Sequence, residues 1–115
     1  AGEVMMKPLR GKTAAVIGAS SRVGRATALA FAAYGAQVVL VSRREPEIFA
    51  VLEELHHSGG EGSAVIADVS DEREVVRIVR HIETNFGRLD AVFNNARVTG
   101  DVGIATHEQT VENFR

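Results

Sequence analysis

Four short apolar runs alternate with segments of helical periodicity, and this alternation constrains the fold more than any other feature of the chain. The runs lie in KTAAVIG (strand at Thr13–Ile17), AQVVLVS (Gln37–Val41), SAVIADV and LDAVFNNA. Their apolar residues are consecutive rather than alternating, so both faces of each strand need cover. That is the pattern of a parallel sheet with helices on both sides. Right-handed crossovers then restrict the topology to an open α/β, three-layer doubly wound parallel sheet, for which four strands in the order 3-2-1-4 are expected.

Between the strands the periodicity predicts three helices. The first carries Val23, Ala26, Ala30 and Phe31 near one face and closes at Gly35. Glu45 and Pro46 open the second, since proline suits a first helical turn. Its stripe is Ile48, Val51, Leu52 and Leu55, and SGGEG stops it. Ser70 is the expected N-cap of the third, with Asp71, Glu72 and Glu74 at the positive end of the helix dipole. Its stripe is Val75, Val79, Ile82 and Phe86, ending at Gly87. The segment His107–Arg115 reads as the start of a fourth, partial helix. Residues 1–8 form a tail and residues 9–115 one domain, with no linker dividing it.

Charge and composition narrow the function classes. A net charge of −2 gives no electrostatic case for nucleic acid or an anionic membrane as partner. The absence of cysteine removes disulfides and thiolate chemistry. No apolar run reaches membrane-spanning length, and the N-terminus lacks a signal-peptide layout. A cytoplasmic location is the expectation. His56 and His57 share a helix end while His81 and His107 are isolated, so no metal site is expected.

The chemistry concentrates in Gly18-Ala19-Ser20-Ser21-Arg22-Val23-Gly24, between the first strand and the first helix. A glycine-bearing turn in that context is how a phosphate-binding turn is built. A plain strand-to-helix loop is the alternative reading of the glycines alone.

The stretch GKTAAVIGASSRVGRATALAFAAYGAQVVLVSRR, followed by ADVS and LDAVFNNAR, resembles the short-chain dehydrogenase/reductase family. The resemblance covers nearly all of the chain after the tail and implies the N-terminal half of a Rossmann-like domain. The family's turn reads Thr-Gly-x-x-x-Gly-x-Gly, and its Asn-Asn-Ala-Gly stretch stands here as Asn94-Asn95-Ala96-Arg97.

The resemblance implies a dinucleotide site. Gly18, Ser20, Ser21 and Val23 would line the pyrophosphate and ribose, with Arg22 and Gly24 completing the turn. Ser42 stands where NAD-preferring relatives place an acidic residue, and Arg43 beside it suits a 2′-phosphate. NADP(H) is therefore expected over NAD(H). Without the resemblance, Arg43 and Arg44 read as a solvated pair. Asp68 would accept from the adenine amino group with Val69 beside it; a helix-capping aspartate is the alternative. Asn95 and Ala96 would lie near the adenine ribose, or merely turn the chain after the fourth strand.

Two family glycines are arginines here, Arg22 and Arg97. Bulk at these positions is expected to crowd the cofactor and weaken binding. A positive φ at Arg22 would add a strain of about 1–2 kcal/mol. The family's Ser-Tyr-x-x-x-Lys set follows the segment matching TVENFR and has no counterpart among these residues. The one tyrosine is Tyr34, and no lysine follows Lys12. No catalytic residue is assigned. The expectation is an NADP(H)-preferring oxidoreductase present as its cofactor-binding half and inactive alone. A small carbonyl or alcohol substrate would be engaged only with the other half supplied. A non-catalytic dinucleotide-binding module, or an oligomerising remnant with a blocked site, is the alternative. Homo-oligomerisation is expected because the outer edge of the fourth strand lacks a partner within the chain.

Overall fold

The computed structural model describes residues 8–95 and 108–109. Its elements are β1 (Thr13–Ile17), α1 (Arg22–Ala33), β2 (Gln37–Ser42), α2 (Glu45–His57), β3 (Glu61–Ile66), α3 (Glu72–Phe86), β4 (Ala91–Asn94) and β5 (Glu108–Gln109). The sheet order is β3-β2-β1-β4-β5. The first three pairings are parallel, with Ala15 opposite both Val39 and Val92, and Val39 opposite Ser63.

Alternate residues of each central strand point to opposite layers. On one face Ala15, Ile17, Val39, Val41 and Val92 pack beneath Ile78 and Ile82 of α3. On the other, Val16, Val38 and Leu40 meet Ala28 and Ala32 of α1 and Ile48, Val51 and Leu55 of α2. The doubly wound arrangement thus follows from strands that are apolar on both sides. Among the described residues no helix is long and apolar enough to cross a membrane.

The first helix turns a different face inward from the one its periodicity suggests. Gly24, Ala28 and Ala32 are buried, while Val23, Ala26 and Ala30 are exposed. The phase is set where the helix begins. A Cβ on Gly24 would overlap the Gly18 carbonyl oxygen, so only glycine allows this approach of helix to strand end. In α3 the buried residues are Ile78 and Ile82, with Val75, Val79 and Phe86 half-buried beside them. Its N-cap is Asp71, which accepts from the Arg73 amide at 2.9 Å, rather than Ser70. Gly87 closes it in the left-handed conformation, φ 78°.

The expected fourth helix does not begin at Glu108. Glu108–Gln109 pair antiparallel with β4, Gln109 opposite Val92 and Glu108 opposite Phe93. A strand edge offers unpaired N–H and C=O groups, and a short return segment satisfies some of them. The same pairing corrects the expectation that β4 lacks an outer partner within the chain. The rest of His107–Arg115 lies outside the described residues.

At the opposite end of the sheet, Asp90 ties β4 to β1. Its Oδ2 accepts from the Thr13 amide at 2.7 Å, and Arg88 holds both carboxylate oxygens at 2.6 and 2.8 Å. Bonds from Arg88 foremost, and then from Thr13, hold the Asp90 carboxyl below the usual carboxylate range.

Candidate functional site

The turn after β1 is fixed by its own backbone. Gly18 adopts φ 80°, and the amides of Gly18 and Ala19 both donate to the Val41 carbonyl, at 2.8 and 3.2 Å. This lays the turn across the carboxyl ends of β1 and β2. Ser21 then caps α1. Its hydroxyl donates to the Gly18 carbonyl (2.8 Å), and accepts from the Gly24 amide (3.0 Å) and from Asn95 Nδ2 (2.7 Å). The hydroxyl's one proton and two lone pairs are all used. Asn95 is itself held by its amide on the Ile17 carbonyl at 2.9 Å.

A second knot joins the turn to β2. The hydroxyls of Ser20 and Ser42 lie 2.8 Å apart, and Ser42 Oγ accepts from the Arg44 amide at 3.0 Å. Beyond β3, Asp68 Oδ1 accepts from the Ser70 amide and hydroxyl at 3.0 and 2.7 Å. Arg43 Nη1 lies 3.7 Å from Asp68 Oδ2. The Ser70 hydroxyl first, then its amide, hold the Asp68 carboxyl below its ordinary range, with a smaller contribution from Arg43. Asp68 therefore caps no helix; Asp71 does.

These elements enclose an open crevice of about 800 Å³ along the carboxyl edge of the sheet. Gly18, Ser20, Ser21, Arg22, Val23, Ser42, Arg43, Asp68, Val69 and Asn95 all line it. Gly24 lies buried under the turn instead. Ala96 and Arg97 lie outside the described residues. Ile17, Val41, Arg44, Ala67 and Ser70 line the crevice as well. Ala67 and Ser70 follow from β3 ending at Ile66, earlier than its apolar run suggests, so that the next residues curve over the opening.

Arg22 departs from expectation in its backbone. Among the described residues no non-glycine residue has a positive φ. The left-handed position is Gly18, and Arg22 is already the first residue of α1. The backbone strain expected there is absent.

The geometry suits a dinucleotide. The crevice lies at the carboxyl ends of parallel strands, where open α/β sheets take their ligands. The first amides of α1, at Arg22 and Val23, have no carbonyl one turn back, and only the Gly24 amide is satisfied by the cap. Arginines flank the turn after β1 and the end of β2.

The chain matches the short chain dehydrogenase family over residues 12–114. It is similar to an A-factor type gamma-butyrolactone 1′-reductase (1S-forming) of Streptomyces virginiae, 40% identical over 89 residues, covering 77% of this chain and 35% of that protein. Among solved structures, a metagenomic short-chain oxidoreductase in complex with NADP matches with a TM-score of 0.75 and 34% identity, over 78% of this chain and 41% of that one. An NAD+-bound xylitol dehydrogenase matches with a TM-score of 0.77 and 31% identity, over 82% of this chain and 36% of that one. The chain spans between 29% and 40% of the length of the curated relatives it matches. A family match over nearly the whole chain, on a sheet and phosphate turn of this geometry, establishes that the chain belongs to the short-chain dehydrogenase/reductase family.

Proposed function

We propose that the crevice binds NADP(H) in preference to NAD(H), as the cofactor-binding part of an oxidoreductase acting on a small carbonyl or alcohol in the cytoplasm. The observation that carries the preference is the end of β2. Ser42 is buried and neutral, its hydroxyl engaged by Ser20 and by the Arg44 amide. It offers no carboxylate to accept from ribose hydroxyls or to repel a 2′-phosphate. Arg43 beside it has a side chain 74% exposed and a single loose ion pair at 3.7 Å. A guanidinium so held can turn to a phosphate through charge-assisted hydrogen bonds. Arg43→Gln is expected to lower NADPH affinity about tenfold and leave NADH affinity nearly unchanged, read by fluorescence titration. Equal losses for both cofactors would overturn the assignment.

When bound, the reduced nicotinamide supplies a hydride. These residues bind and orient it; the proton needs another group. The family's pattern implies a Ser-Tyr-x-x-x-Lys set for that step. Tyr34 does not replace it, because it lies at the C-cap of α1, at the far end of the helix from the crevice. The 115-residue chain is therefore proposed to bind dinucleotide without turnover. NADPH oxidation with small ketones and aldehydes should stay far below about 1 s⁻¹; ordinary turnover by contaminant-free protein would refute this. Self-association is also proposed, with the exposed face of α3 around Val76 as the contact.

A further inference from the structure

We propose that Arg22 is a ligand for the diphosphate of the bound nucleotide. This rests on the dinucleotide reading above and reverses the effect that bulk at this position suggests from sequence.

Four observations carry it. Arg22 is the first residue of α1, so its amide and its side chain start from the same anion-attracting helix end. It is exposed at the rim of the crevice rather than packed into it, which gives its side chain room to move aside for a ligand. Five other arginines pair with carboxylates: Arg25, Arg43, Arg73, Arg77 and Arg88. Arg22, like Arg44, has no such partner among the described residues, and the carboxylate of the crevice, Asp68, is already held by Ser70 and Arg43. Finally, the first turn of α1 contains no acidic residue. A cation at a helix N-terminus opposes the helix dipole, so Arg22 does nothing for the helix itself. An anion placed between the guanidinium and the free amides removes that conflict.

Two of the three crevice arginines then divide the ligand. Arg43 faces the ribose end, where a 2′-phosphate distinguishes the cofactors. Arg22 stands at the phosphate turn, where NADPH and NADH carry the same diphosphate. This division predicts different selectivity for the two positions.

The test is calorimetric titration of the 115-residue chain and its variants with NADPH, NADH and adenosine 2′-monophosphate, which lacks the diphosphate. Arg22→Gln and Arg22→Gly should weaken both dinucleotides by a similar factor, roughly fivefold or more, and leave adenosine 2′-monophosphate unaffected. Arg22→Lys should retain most of the affinity. Added salt should shrink the difference between the parent chain and Arg22→Gln. Thermal melts verify that each variant is folded, and Arg22→Gln decides the matter if Arg22→Gly is not. Unchanged affinity in Arg22→Gln, or tighter binding in Arg22→Gly, overturns the inference while the dinucleotide reading stands. If no dinucleotide binds the parent chain or Arg22→Gly at millimolar concentration, both fall together.

Discussion

Ser21 is the residue on which the turn after β1 depends. It joins the strand end, the helix start and Asn95 through one hydroxyl. Ser21→Ala removes the cap and leaves the Gly24 amide and Asn95 Nδ2 without their acceptor. A loss of about 1–2 kcal/mol is expected in denaturant unfolding. Asn95→Ala should act through the same hydroxyl, so the double variant should lose less than the sum of the single losses. Strict additivity would show that the Ser21–Asn95 bond does not couple the turn to β4. The resemblance placed Asn95 among the candidate site residues, but it did not show the residue's partner. The two lie 74 positions apart and meet only because β4 pairs beside β1. Asp90 gives a prediction in pH. Its native carboxyl titrates below its unfolded value of about 3.9, so at a given acid pH the unfolded chain binds more protons. Its contribution is present above the unfolded value and lost as pH falls through the depressed native one. Stability measured between pH 2 and 4 should therefore fall less steeply in Asp90→Asn than in the parent chain. Equal slopes would contradict the assigned hydrogen bonds.

At the scale of elements, the strands and α2 were legible because their signals are local and strong. Consecutive Val, Leu and Ile mark β1 and β2, and Ile48, Val51 and Leu55 repeat at helical spacing and are buried. The phase of α1 was not legible. Its inward face is Gly24, Ala28 and Ala32, whose small side chains give a weaker hydrophobic signal than the exposed Val23. The deciding contact is the helix against the Gly18 carbonyl, a steric fact that apolar periodicity does not encode. Gly24→Ala should thus cost about 2 kcal/mol or more, because a backbone must shift. Val23→Ala, on the face that periodicity favours, should stay within about 0.5 kcal/mol in the absence of nucleotide. Chemical denaturation of both variants checks this. A mild Gly24→Ala with a severe Val23→Ala would restore the sequence-based face.

For the whole molecule, the doubly wound sheet followed from crossover rules and the apolar strands, and the expected order β3-β2-β1-β4 is present in the structure. The antiparallel addition of Glu108–Gln109 was not foreseeable, since it answers the open edge of β4 and not a local preference of those two residues. Cover at Val92 and Phe93 shifts the proposed self-association from that edge towards α3. Sedimentation velocity over a wide concentration range should show an assembly that Val76→Glu weakens; a parent chain that stays monomeric throughout would rule it out. The site itself is a property of the whole fold, because it gathers the ends of β1, β2, β3 and β4 into one opening. The nucleotide preference of that opening is read by a single titration. The unmodified chain is titrated with NADPH and with NADH under the same buffer and salt. NADPH is expected to bind about tenfold more tightly. Equal affinities, or tighter binding of NADH, would contradict it.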